Sequence, residues 1–140
     1  MLVERIIHIQ TSIFLPLPNE EDELVNEGAY GKAFCLFLER KLPDSGFNVT
    51  RYLAEDWGWW VEIDNSVKPL ELAIYYSDND TTEKDYALLL DVRKPSFFSF
   101  KKFKRLSREE DINALQTSLE MLMSSTDGIK VVGISEEFPF

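Results

Sequence analysis

At 140 residues, 44% hydrophobic and 29% charged, the chain has the size and composition of one globular domain, long enough to bury a core without disulfide or metal support. A single cysteine, Cys35, and a single histidine, His8, remove disulfide frameworks and His/Cys zinc sites and leave any Ser-His-Asp triad dependent on His8. The net charge of −10 opposes general nucleic-acid binding and favours a basic partner or plain solubility.

The opening strand is expected from Val3 to about Phe14, in a stretch rich in β-branched residues, with His8 as an ordinary strand residue. Glu4 stands where a signal peptide would carry positive charge, and no apolar run approaches the roughly 18 residues that span a bilayer, so the expected location is cytoplasmic with no membrane contact. Leu15-Pro16-Leu17-Pro18-Asn19 breaks the strand, since proline supplies no ladder donor. The acidic run Glu20, Glu21, Asp22 and Glu23 reads as a solvated loop or as a handle for a basic partner.

Gly28-Ala29-Tyr30-Gly31 introduces a helix running to about Leu42, where Pro43 and Gly46 supply stop signals. Tyr30, Ala33, Phe34, Phe37 and Leu38 share its core face, and Cys35 reads as a small core residue. From Phe47 the period becomes two, with Phe47, Val49, Arg51 and Leu53 alternating against Asn48, Thr50 and Tyr52. A turn at Glu55-Asp56 leads into a strand that holds all three tryptophans. Alternation puts Trp57, Trp59, Val61 and Ile63 on the core side and Gly58, Trp60, Glu62 and Asp64 on the other. Gly58 marks a bulge or a place where another backbone or a ligand comes close.

After a turn at Asn65-Ser66-Val67-Lys68-Pro69, Leu70, Leu72, Ile74 and Tyr76 form the core face of the next strand, opposite Glu71, Ala73 and Tyr75. The loop Ser77 to Thr82 precedes a strand with Tyr86, Leu88, Leu90 and Val92 on one face. Trp60 and Tyr75, with Ala73, Ala87 and Leu89, then line a second sheet face more apolar than a solvated surface normally is. Phe97 to Leu106 interleaves bases with aromatics and reads as an edge strand whose lysines deter aggregation, or as a groove for single-stranded nucleic acid. Residues 93–108 hold 7 bases and no acid, while residues 1–92 hold 18 acids and 7 bases. Ser107 and Glu110 fit a capping box opening a helix with the stripe Ile112, Leu115, Leu119, Leu122 and Met123. Asp127-Gly128 ends it, and Ile129 to Ile134 reads as a last strand.

The expected fold is a single α+β domain over residues 1–140. Its antiparallel sheet has five or six strands with two helices on one face, in the order β-α-β-β-β-β-α-β. The segments G-x-Y-G at Gly28 to Gly31 and E-D-W-G-W at Glu55 to Trp59 resemble a family of small bacterial α+β proteins across roughly residues 15–135. That resemblance implies the same compact fold and transfers no catalytic residue.

No P-loop, dinucleotide fingerprint, nucleophile elbow or EF-hand loop is present, so no cofactor or metal is expected. Carboxylates beside aromatics suit a non-enzymatic protein-binding domain, immunity- or inhibitor-like, acting on a basic toxin, nuclease or defence complex. Its contact residues would be Glu20, Glu21, Asp22, Glu23, Glu55, Asp56, Trp60 and Tyr75. The alternatives are a carboxylate enzyme acting on a sugar-like ligand, with Glu55 and Asp56 set against Glu62 or Asp64, and a homodimer formed through the apolar second face.

Overall fold

Alternating apolar stretches become strands and two segments of helical period become helices. The computed structural model describes residues 5–14, 17–18, 20–23, 30–64, 69–77, 83–90 and 99–135. Its strands are β1 (Arg5–Thr11), β2 (Asn48–Glu55), β3 (Gly58–Asp64), β4 (Pro69–Ser77), β5 (Lys84–Leu90) and β6 (Ile129–Ser135), and its helices α1 (Lys32–Lys41) and α2 (Ser99–Ser125). Short 3-10 turns run over Glu20–Glu23 and Leu42–Ser45. The expected breaks and loops at 15–16, 65–68, 78–82 and 94–96, and Gly28-Ala29 of the expected helix start, lie outside the described residues.

The strands form one six-stranded sheet in the order β2-β3-β4-β5-β1-β6, with every neighbouring pair antiparallel. The α+β order expected from the sequence is the one observed. Strands β2 to β5 form a meander because their connections are short. Strand β1 inserts between β5 and β6, and its consecutive Ile6 and Ile7, both fully buried, suit a strand covered on both faces.

Both helices cover one face. Phe34, Phe37 and Leu38 of α1 and Ile112, Leu115, Leu119 and Met123 of α2 join Ile7, Ile9, Trp59, Val61, Ile63, Leu72, Ile74, Tyr86 and Leu88 in a single core. Each such side chain contributes about 1.5–3 kcal/mol on leaving water. Cys35 is fully buried among them. Helix α1 ends at its C-cap Leu42, whose N–H donates to the Leu38 carbonyl; the chain runs on into the 3-10 turn with Pro43 near its start, and Gly46 closes that turn at a left-handed φ of 88°, its amide donating to the Pro43 carbonyl at 3.0 Å.

Four local expectations are corrected. First, α2 begins at Ser99, so Ser107 lies inside a helix and residues 99–106 are not an edge strand; Lys, Arg and Leu are good helix formers, and their summed propensity outweighs the cap signal. Second, β1 ends at Thr11 rather than near Phe14. Third, Thr50 is an extra residue between the pairs Val49↔Ile63 and Arg51↔Glu62. This bulge reverses the parity of β2 and sends Tyr52 and Ala54, not Arg51 and Leu53, toward the core. Fourth, Glu55 pairs with Gly58, so the turn residues are Asp56 and Trp57. Trp57 therefore escapes the strand alternation and packs on the opposite face from Trp59, with Ile6, Ala73, Ala87 and Leu89.

Candidate docking surface

The β2–β3 hairpin sets the geometry of the sheet face opposite α1 and α2. Gly58 closes the two-residue turn at φ 156°, and a Cβ there would lie 2.1 Å from the Ile74 carbonyl oxygen of β4. The close approach expected at this glycine is thus made by another backbone. The next residue, Trp59, turns inward and is held by two neighbours: Tyr52, with ring centroids 6.3 Å apart, and Gly31, where a Cβ would lie 2.7 Å from the indole. The glycines of both segments singled out in the sequence, Gly31 and Gly58, so flank one buried tryptophan.

The residues beside Trp59 turn the other way. Trp60 lies between Leu53 and Ala73, and Tyr75 lies beside Gly58 and Ala87. Trp57 stacks on Tyr75 with centroids 4.8 Å apart and planes 27° from parallel. This pair packs against the buried patch of Ile6, Ala73, Ala87 and Leu89. Trp57, Trp60 and Tyr75 all remain partly exposed. Glu55 and the exposed Asp56 occupy the hairpin end. Glu62 lies directly across from Glu71 and is 3.8 Å from Arg51; like charges facing each other across strands are unfavourable, and Arg51 offsets part of that. The structure thus brings together Glu55, Asp56, Trp60 and Tyr75.

The acidic run lies elsewhere and is not uniformly solvated. Glu20 is 1% exposed on the helix side of the sheet. Its carboxylate accepts hydrogen bonds from the amides of Leu17 at 3.0 Å, Gly31 at 3.0 Å and Lys32 at 3.1 Å. The start of α1 has no cap from its own Gly31, so Glu20 supplies that function from a distance and is engaged inside the protein. Asp22 is exposed, and the side chains of Glu21 and Glu23 lie outside the described part.

His8 is oriented by a carboxylate that strand alternation alone does not reveal. Its Nε2 lies 2.8 Å from Asp85 Oδ1, which also accepts from Gln10 Nε2 at 3.0 Å. The signal for this pairing is the β1–β5 register, where Gln10 faces Asp85. Cys35 is held neutral: burial first, then the negative charge of Glu20, push its thiol well above its ordinary value.

Of the carboxylates weighed for catalysis on a sugar, Glu62 lies four steps along β3 from Gly58, the cross-strand partner of Glu55. That places the Glu55 and Glu62 backbones about 14 Å apart along the hairpin. No helix among the described residues is long and apolar enough to cross a membrane. Among the described residues no three His, Cys, Asp or Glu side chains converge as a metal site. Comparison of the chain with protein-family models, with curated proteins and with solved structures returned no match, so the site is read from its own geometry.

Proposed function

We propose that the protein is a non-enzymatic binding domain that docks a protein partner with a basic surface on the hairpin end of the sheet face opposite α1 and α2. This is the kind of contact an immunity- or inhibitor-like protein makes with a basic toxin or nuclease. The observation that carries the reading is the partly exposed Trp57–Tyr75 stack beside Trp60, next to the carboxylates of Glu55 and Asp56. Aromatic side chains held rigidly by a sheet present large apolar area at small entropic cost, which suits anchors. Carboxylates at their rim raise the encounter rate with a positive surface and make association salt-sensitive. Asp22 adds to the field from the other side of the molecule but is not part of this surface; Glu20 is committed to α1.

The experiment is affinity capture from the native cells, identification of the bound protein, and titration calorimetry of the purified pair with Glu55→Lys and Trp60→Ala. Trp60→Ala is expected to weaken binding by about 2 kcal/mol or more as a central anchor. Glu55→Lys is expected to slow association and flatten its dependence on salt. Unchanged affinity in both variants removes this surface from the binding reaction.

A further inference from the structure

On the sheet face opposite α1 and α2 the carboxylates differ in how they are answered. Asp85 meets His8 at 2.8 Å and accepts from Gln10 at 3.0 Å. Glu62 has Arg51 at 3.8 Å and the Thr50 hydroxyl at 3.3 Å. Glu55 is half-buried, yet among the described residues its carboxylate has no hydrogen bond and no cation. A carboxylate in that position has given up hydration that such partners normally replace.

The surroundings of Glu55 are aromatic. Glu55 and Tyr75 both pair with Gly58, from β2 and from β4, so their backbones lie about 10 Å apart with no β3 side chain between them. Trp60 is the diagonal neighbour of Glu55, two residues beyond Gly58, about 7–8 Å away at the backbone and within reach of a long side chain. Trp57, in the turn, stacks on Tyr75 at 4.8 Å. One unanswered carboxylate thus stands among three partly exposed rings.

We propose that this corner of the sheet holds an arginine side chain of the basic partner, its guanidinium lying on the indole of Trp60 and donating hydrogen bonds to the carboxylate of Glu55. The inference rests on the docking reading above and names what that surface grips. The faces of the rings attract a cation. Guanidinium is planar and weakly hydrated and carries N–H groups around its rim, so it stacks on a ring and donates to a carboxylate in one pose. The ammonium of lysine is a strongly hydrated point charge and gains less from the ring. An apolar anchor would cover the rings but bury Glu55 further without a cation, which costs free energy.

The probes are the tripeptide acetyl-Gly-Arg-Gly-amide and its lysine and norleucine analogues, titrated into the full chain at constant ionic strength up to about 200 mM. The readout is the indole N–H resonances of the three tryptophans. Expected with the arginine peptide are saturable shifts at Trp60 and Trp57, none at the buried Trp59, and an affinity about twofold or more above that of the lysine peptide. The norleucine peptide should give no saturable shift. Glu55→Gln should weaken arginine binding about threefold or more, with an unmoved Trp59 resonance reporting an intact fold, and Asp22→Asn should leave binding unchanged. No saturable shift with arginine, an equal response to lysine or norleucine, or binding indifferent to Glu55→Gln overturns the proposal. The two readings fail separately. A captured partner weakened by Trp60→Ala, with no response to the arginine peptide, removes the arginine and leaves the docking surface. An arginine response in a protein whose captured partner ignores both Trp60→Ala and Glu55→Lys removes the docking surface, and the partner's arginine with it, and leaves a cation site alone.

Discussion

Replacing Glu20 should be among the most damaging changes to a charged residue in this protein. Its carboxylate accepts three backbone amides, from Leu17, Gly31 and Lys32, at 3.0–3.1 Å, and it is 1% exposed. Hydrogen bonds to a charged acceptor are worth about 1.5–3 kcal/mol each. Set against them is the cost of keeping a carboxylate out of water, several kcal/mol, which a neutral residue escapes. For Glu20→Ala the balance is a loss of about 3 kcal/mol, because three donors lose their acceptor and the start of α1 loses a favourable negative charge. For Glu20→Gln the loss is about 2 kcal/mol: the amide oxygen can still accept from Gly31 and Lys32, but its NH2 group then faces the Leu17 N–H, donor against donor.

Urea unfolding followed by tryptophan fluorescence, with Trp59 as the buried reporter, measures both values. The slope should be unchanged, since the surface exposed on unfolding is the same. Asp22→Asn, an exposed change in the same acidic run, should fall within about 0.5 kcal/mol of the parent. If Glu20→Gln does so too, with a native spectrum, Glu20 is not holding the start of α1 and the structural reading of this residue is wrong.

Other outcomes follow from the same geometry. Gly58→Ala should destabilise by about 3 kcal/mol, measured by thermal melting, because its Cβ would meet the Ile74 carbonyl oxygen at 2.1 Å and the β3–β4 pairing would have to shift; a melt equal to the parent's would contradict that close approach. Ser107→Ala should be neutral or slightly stabilising by urea titration, since an interior helical serine is a poorer helix former than alanine, whereas an N-cap serine would cost about 1 kcal/mol on removal. Stability should decline in alkali. Burial, helped by Tyr76 and by Glu20, pushes the Tyr86 hydroxyl above its ordinary value of 10.0, and the Cys35 thiol is likewise raised above 9.0. The folded protein therefore holds both protons where the unfolded chain releases them. Stability is full below the unfolded values and is lost as pH rises past them, by about 1.4 kcal/mol per pH unit for each group in that window. Urea midpoints that stay flat between about pH 8.5 and 10.5 would refute this.

Much of the fold is legible in the residues themselves. Alternation of period two marks four of the strands, the apolar stripe of Phe34, Phe37 and Leu38 marks α1, and Pro43 with Gly46 marks the break after it. Those signals are local: a residue and its neighbours two, three or four places away decide which way a side chain points. The same arithmetic puts Trp60 and Tyr75 on one face and Trp59 on the other, and the sheet keeps that division.

What required the tertiary structure was every feature settled by partners distant in the chain. The place of β1 between β5 and β6 depends on pairing with strands far along the sequence, and the His8–Asp85 contact spans 77 residues. Nothing in Glu20-Glu21-Asp22-Glu23 distinguishes the one buried acid from its neighbours; the amides of Gly31 and Lys32 do, once α1 is set against the sheet. Thr50 and Trp57 show the limit most plainly. One inserted residue or one turn residue costs little in local propensity, yet each changes which side of the sheet a side chain occupies, and only the register with β3 and β4 decides it.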